Sequence, residues 1–161
     1  MIKGRVWKFG DNVNTDVIYP GRWLKITGDP REMASHSFEG VFPNFVQEVK
    51  KGDIIVAGRY FGCGSSREQA VACLKHLGIG GIVAESFARI YYRNAINLGL
   101  PILIAPGVLK KVKQGDCIKV DFAKGLIKLK DTEIKGIPLP EFILEIIKEG
   151  GLIPHLQKKE G

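Results

Sequence analysis

The chain is poor in the residues that build disulfide frameworks, metal cages and membrane spans. Its three cysteines, Cys63, Cys73 and Cys117, are odd in number and show no CxxC spacing. That weighs against a disulfide framework and against a self-contained zinc or iron-sulfur site. Cys63 has no histidine near it in sequence to act as a base, so it reads as a small space-filling residue rather than a nucleophile. His36 has no partner at ligand spacing and reads as a surface or hydrogen-bonded histidine. No metal site is expected in this chain. No stretch reaches the ~20 apolar residues of a bilayer span, and Met1-Ile2-Lys3-Gly4-Arg5 lacks the apolar run of a signal peptide. The expectation is a cytoplasmic protein with no membrane partner. Internal repeats, low-complexity tracts and linkers are also missing, so residues 1–161 are expected to form one domain.

What is present begins with a net charge of +7. The lysines are scattered or lie in the C-terminal hairpin and tail, aromatic residues are not interleaved with them, and no DNA or RNA motif occurs, so no nucleic-acid partner is expected. An anionic substrate or an acidic partner surface accounts for the sign as well.

Apolar periodicity predicts an α/β fold. Ile2 to Phe9 reads as a strand, followed by the polar, turn-rich Gly10-Asp11-Asn12-Val13-Asn14-Thr15-Asp16 and a short apolar step, Val17-Ile18-Tyr19, ending at Pro20. Residues 21–40 are weakly periodic, with a Gly28-Asp29-Pro30 turn and a helical stretch from Arg31 to Phe38. A long connection of this kind is often a binding loop, with Arg22, Trp23 and Lys25 as contact residues, or else a solvated surface loop. Asn44 to Val49 reads as a helical turn.

Ile54 to Gly58, a helix carrying Ala70, Val71, Leu74 and Leu77, Gly80 to Ala84, a helix from Phe87 to Leu98, and Leu100 to Ile104 then predict a right-handed βαβαβ unit with a parallel sheet. Cys117–Phe122 and Leu126–Lys130 form a predicted hairpin, Glu141 to Lys148 a helix, and Gln157 to Gly161 a frayed tail.

The first strand of the βαβαβ unit runs into Gly62-Cys63-Gly64-Ser65-Ser66-Arg67-Glu68. Two glycines flanking one residue allow the backbone to pass close to a ligand. Two serines and an arginine then fall where a helix is expected to begin, and free N–H groups with the helix dipole favour an anion there. In open parallel sheets, ligands bind beyond the carboxyl ends of strands, which is where this turn lies. The spacing Ser65-x-x-Glu68 also fits a plain capping box. Arg67 tilts the reading toward a carboxylate or phosphate site, because a cap does not need a bidentate cation in a turn where the dipole prefers an acid. Asp11 and Asp16 read first as turn formers, Asp16 being the better functional candidate. Arg89 and Arg93 lie on the second helix and read mainly as surface arginines.

Three segments in order, Gly10-Asp11 through Asn14-Thr15-Asp16-Val17-Ile18-Tyr19-Pro20-Gly21-Arg22, Tyr60-Phe61-Gly62-Cys63-Gly64-Ser65-Ser66-Arg67-Glu68, and Ala84-Glu85-Ser86-Phe87-Ala88-Arg89-Ile90 with Arg93-Asn94 and Asn97, resemble the small subunit of 3-isopropylmalate dehydratase and its homoaconitase relatives. The resemblance runs over nearly the whole chain. It implies an aconitase-type swivelling β/β/α domain, with the βαβαβ parallel-sheet core, an added β-hairpin and a C-terminal helix.

It also implies a hydro-lyase active only with a large subunit that carries a [4Fe-4S] cluster, no cofactor being held by this chain. The substrate implied is a small di- or tricarboxylate. Ser65 matches the family's base. Ser66 and Arg67 match residues that hold substrate carboxylate, Gly64 and Arg22 line the same site, and Asp16 supports it. Members that accept isopropylmalate carry Tyr-Leu and an apolar residue after the Pro-x-Arg step, whereas homoaconitase members carry arginine at the third place. Here the loop reads Trp23-Leu24-Lys25-Ile26, so Lys25 points toward a distal anionic group, while Ile26 could serve a branched alkyl group. The reading leans to isopropylmalate and leucine biosynthesis, with homoaconitase or another substituted-malate dehydratase as the alternative. A stand-alone carboxylate-binding module is the alternative of a different class.

Overall fold

A computed structural model describes residues 1–25 and 29–160. Seven strands form a single sheet in the order β4-β3-β2-β1-β5-β6-β7. Strands β1 (Ile2–Lys8), β2 (Ile54–Ala57), β3 (Gly81–Ala84) and β4 (Ile102–Ile104) run parallel. Strands β5 (Cys117–Asp121), β6 (Leu126–Lys128) and β7 (Glu133–Lys135) continue the sheet antiparallel from β1. The βαβαβ unit is therefore present, and the first strand extends its parallel half.

Alternation along the strands separates two cores. Trp7, Ile55, Ala57, Ile82, Ala84 and Ile102 face helices α4 (Gln69–His76) and α5 (Arg89–Asn97), packing on Ala70, Val71, Leu74, Tyr91 and Ala95. Val6, Ile54, Val56, Val83 and Leu103 face the other way and share their core with Ile118, Val120, Ile127 and Ile134 of the antiparallel strands. A sheet whose two halves share one core has curled over on itself. The curl closes where Ile137 N–H donates to the Ile104 carbonyl at 2.8 Å, joining the chain after β7 to the far edge. Both faces of the parallel strands are thus covered, which is why they read as unbroken apolar runs. Ile55, Leu74 and Ile82 are fully buried, each contributing about 1.5–3 kcal/mol.

The remaining helices are α1 (Thr15–Ile18), α2 (Pro30–Ala34), α3 (Phe45–Glu48), α6 (Val108–Lys111), α7 (Glu141–Lys148) and α8 (Leu152–Glu160). Several boundaries differ from expectation. Val17 and Ile18 belong to a helical turn, because the Asn14 side chain accepts from Val17 N–H and caps it. Helix α5 starts at Arg89 rather than Phe87, since Phe61 and Phe87 still pair as parallel strands and Ala88 N–H donates to the Phe61 carbonyl. The tail through Glu160 is helical, not frayed: His155 is buried and pairs through Nδ1 with Glu149 at 2.8 Å.

Candidate active site

The chain leaving β2 is laced into the loop after β1. Gly62 N–H donates to the Val13 carbonyl at 2.7 Å, and Thr15 N–H to the Cys63 carbonyl at 2.9 Å. Thr15 Oγ1 donates to the Ser65 carbonyl at 2.8 Å. Gly62 and Gly64 have φ of 84° and 94°, in the left-handed region. A Cβ on Gly62 would overlap the Tyr91 side chain, so glycine is required there by packing as well as by backbone. Tyr91 in turn donates its hydroxyl to the Ala70 carbonyl at 2.9 Å, tying α5 to the start of α4. Burial pushes that phenol's pKa well above its ordinary value, so it stays a donor.

The capping box does not form. Helix α4 begins at Gln69 with Glu68 as its cap residue, and Glu68 makes no side-chain cap bond. Ser65, Ser66 and Arg67 lie just before the helix rather than in its first turn. Thr15 holds the Ser65 carbonyl and Asp16 holds the Arg67 side chain, which ties the turn to the loop after β1. The Ser65 and Ser66 hydroxyls are exposed and have no protein partner among the described residues.

Arg67 is the anchored member of the trio. Its Nη1 donates to Asp16 Oδ1 at 2.9 Å and to the Tyr19 carbonyl at 3.2 Å. Asp16 Oδ1 also accepts from Gly21 N–H at 2.8 Å. The Arg67 hydrogen bond, followed by that from Gly21, holds the Asp16 carboxyl below its usual pKa. Nε and Nη2 have no protein acceptor among the described residues, which leaves a second edge of the guanidinium for a carboxylate ligand.

These residues line a cleft of about 220 Å³ that includes Gly64, Ser65, Ser66, Arg67, Arg89 and Asn94. The start of α5 opens onto it, and among the described residues no acidic side chain lines it, so its field favours an anion. Thr15, Tyr60 and Ile90 complete its walls. Of these, sequence reasoning weighed Arg89 mainly as a surface residue and passed over Thr15, Tyr60, Ile90 and Asn94. Ile90 and Asn94 stand four apart, which places them on one helix face.

Arg22 and Lys25 do not line this cleft. Arg22 is ion-paired to Glu39, which also accepts from Trp23 Nε1 at 2.6 Å and pairs with His36 Nδ1 at 2.9 Å. Trp23 and His36 stack with ring centroids 3.8 Å apart. Trp23, read from the sequence as a contact residue, is thus held against Glu39 and His36 and does not line this cleft, and His36 is hydrogen-bonded, as expected. Burial raises the Glu39 pKa, but the bonds from Trp23, His36 and Arg22 outweigh it and bring it to about 2. Lys25 is exposed, and Ile26 lies outside the described residues, as does Gly28 of the turn before Pro30.

Cys63 is half-buried, Cys73 buried and Cys117 exposed, so the three thiols are not gathered. Burial drives Cys73 up to about 12, leaving it a neutral core residue. Among the described residues no three His, Cys, Asp or Glu side chains come together as a metal site, and no helix is long and apolar enough to cross a membrane.

The Ser-Ser-Arg turn at the carboxyl ends of the parallel strands of a curled mixed sheet defines a class, and a family model described as the aconitase C-terminal domain matches residues 26–106. The isopropylmalate/citramalate isomerase small subunit of Methanocaldococcus jannaschii is 53% identical over 99% of this chain and 95% of its own length. The 3-isopropylmalate dehydratase small subunit 1 of Methanopyrus kandleri is 50% identical over 100% and 95%, and the methanogen homoaconitase small subunit of Methanothermobacter thermautotrophicus 51% over 98% and 92%. The crystal structure of 3-isopropylmalate dehydratase from Methanocaldococcus jannaschii superimposes with a TM-score of 0.92 at 49% identity, covering 99% of this chain and 95% of that one. The chain belongs to this family, among the small subunits of 3-isopropylmalate dehydratase and homoaconitase.

Proposed function

We propose that the chain is the small subunit of a hydro-lyase that converts 2-isopropylmalate to 3-isopropylmalate by dehydration and rehydration in leucine biosynthesis, working only with a large subunit. The observation that carries this reading is the anion-favouring cleft in which an unpartnered Ser65 hydroxyl stands beside an Arg67 locked by Asp16.

The ungathered cysteines of this chain do not fit a [4Fe-4S] cluster, which is assigned to the large subunit. There it would supply a Lewis acid for the substrate hydroxyl. The small subunit's part is binding and proton transfer. Arg67 takes a substrate carboxylate on its free edge, and Gly64 and Ser66 contribute backbone N–H groups without a Cβ in the way at Gly64. Ser65 Oγ, as the alkoxide, accepts the proton from the carbon next to that carboxylate and returns it when water adds back with hydroxyl and hydrogen exchanged. A serine hydroxyl is a weak base. The N-terminus of α5, Arg67 and Arg89 together favour its anionic form, and exclusion of water by the large subunit strengthens all of them.

Lys25, exposed on the loop that follows Arg22, and the homoaconitase name among relatives of similar identity support a second reading, in which a distal carboxylate is recognised. Hydration of isopropylmaleate, methylmaleate and cis-homoaconitate by the complex reconstituted with its large subunit decides between them. Isopropylmaleate is expected to be the best substrate. Preference for cis-homoaconitate would transfer the chain to the second reading, with Lys25 and Arg22 as readers of the extra carboxylate.

A further inference from the structure

Tyr60 is the one aromatic residue of the cleft that pays for its position in backbone conformation. Its φ is 61°, in the left-handed region that residues with a Cβ avoid. Fixed partners hold it there: its own N–H donates to Ser86 Oγ at 2.8 Å, Phe61 N–H donates to the Ser86 carbonyl at 3.1 Å, and Asn12 N–H donates to the Arg59 carbonyl at 2.8 Å. The ring is not buried in exchange. It is 52% exposed, and among the described residues no other aromatic ring packs on it. Strain that buys no core packing points to function.

Ile90, in the first turn of α5, is likewise not buried: it is 51% exposed although Tyr91 beside it is buried. Both Tyr60 and Ile90 line the cleft that holds Ser65 and Arg67. Its polar side chains, Ser65, Ser66, Arg67, Arg89 and Asn94, suit carboxylates, while Tyr60 and Ile90 are the exposed large apolar side chains among its lining residues.

Resting on the reading above, we infer that Tyr60 and Ile90 form the apolar wall that receives the alkyl substituent of the substrate, so that preference for a branched over a short alkyl group is set there and not by Lys25. A cleft lined by cationic and hydroxyl groups together with exposed apolar side chains is the arrangement that a malate carrying a hydrocarbon branch requires. The carboxylates pair with arginine, and the branch leaves water against the ring and the isoleucine.

The test compares kcat/KM for hydration of isopropylmaleate and of methylmaleate by the reconstituted complex carrying wild-type chain, Tyr60→Asn, Tyr60→Phe or Ile90→Ala. Asparagine tolerates positive φ, so Tyr60→Asn keeps the turn, which its thermal melting checks. Tyr60→Asn and Ile90→Ala are each expected to lower the isopropyl-to-methyl ratio by about tenfold, as lost hydrocarbon contacts do, with Tyr60→Phe retaining it. An unchanged ratio, or a Phe variant as poor as Asn, would overturn the assignment. So would an equal fall for both acids together with weaker co-purification of the large subunit, which identifies a subunit contact instead. Failure of the underlying reading shows separately, as wild-type complex that hydrates neither alkylmaleate.

Discussion

Arg67 and Asp16, 51 residues apart in sequence, meet at 2.9 Å, the arginine lining the cleft and the aspartate standing outside it. The arginine is 16% exposed and the aspartate 66%, so the acid lies at the solvent side and clamps a largely enclosed guanidinium. Asp16 thereby fixes the side chain proposed to bind the substrate carboxylate, and it is itself held by Gly21 N–H.

Replacing Asp16 therefore acts through Arg67. Asp16→Asn, which keeps an acceptor but loses the charge, is expected to lower kcat/KM of the reconstituted complex about tenfold, and Asp16→Ala about a hundredfold, as misplacement of a substrate-orienting group does. Steady-state kinetics with circular dichroism of each variant check this. A fully active Asp16→Ala would remove the clamp from the account.

The two glycines of the turn should respond differently. Gly64→Ala meets nothing nearer than Thr15 Oγ1 at 3.5 Å, so only its positive φ is penalised, at about 1–2 kcal/mol. Gly62→Ala adds a collision with the Tyr91 ring and should cost about 3 kcal/mol or more. Denaturant titration of the isolated chain measures both, and equal losses would contradict the packing role of Gly62.

Glu39 gives the loop bearing Arg22 a pH dependence. Its folded pKa is depressed to about 2 from 4.5, so its stabilisation is fully present above the unfolded value and is lost as pH falls through the folded one. Between those limits, from about 4.5 down to about 2, the wild type should lose more stability than Glu39→Gln. At neutral pH the variant should be less stable by about 1.5–3 kcal/mol, the range of one charged hydrogen bond. Thermal melting at pH 7 and pH 3 reads the difference, and parallel losses in the two proteins would refute it.

The parallel core was legible because strands covered on both faces, such as Ile54–Ala57 and Gly81–Ala84, read as apolar runs between helices of clear period. Strand β7 was not, since Glu133-Ile134-Lys135 carries one apolar residue and owes its existence to pairing with β6. The turn from Gly62 to Arg67 announced an anion site through its glycines, serines and arginine. The start of α4 was misplaced because bonds from Thr15 and Asp16, distant in sequence, hold Ser65 to Arg67 out of the helix. For the same reason the ion pair of Arg22, read from the sequence as a contact residue of a binding loop, with Glu39 17 residues away was not legible. Tyr60 and Ile90 fall inside the segments that carry the family resemblance, but their exposure in the cleft was not legible, because exposure of an apolar side chain is decided by the fold and not by its neighbours in the chain.

The central claim is that Ser65 moves the proton. Its most direct test is turnover of 2-isopropylmalate by the complex assembled with Ser65→Ala, alongside its melting temperature and co-purification with the large subunit. Loss of at least about a thousandfold in kcat, with fold and assembly intact, is the expected result for removal of the base. Near-normal turnover by the assembled variant would contradict it.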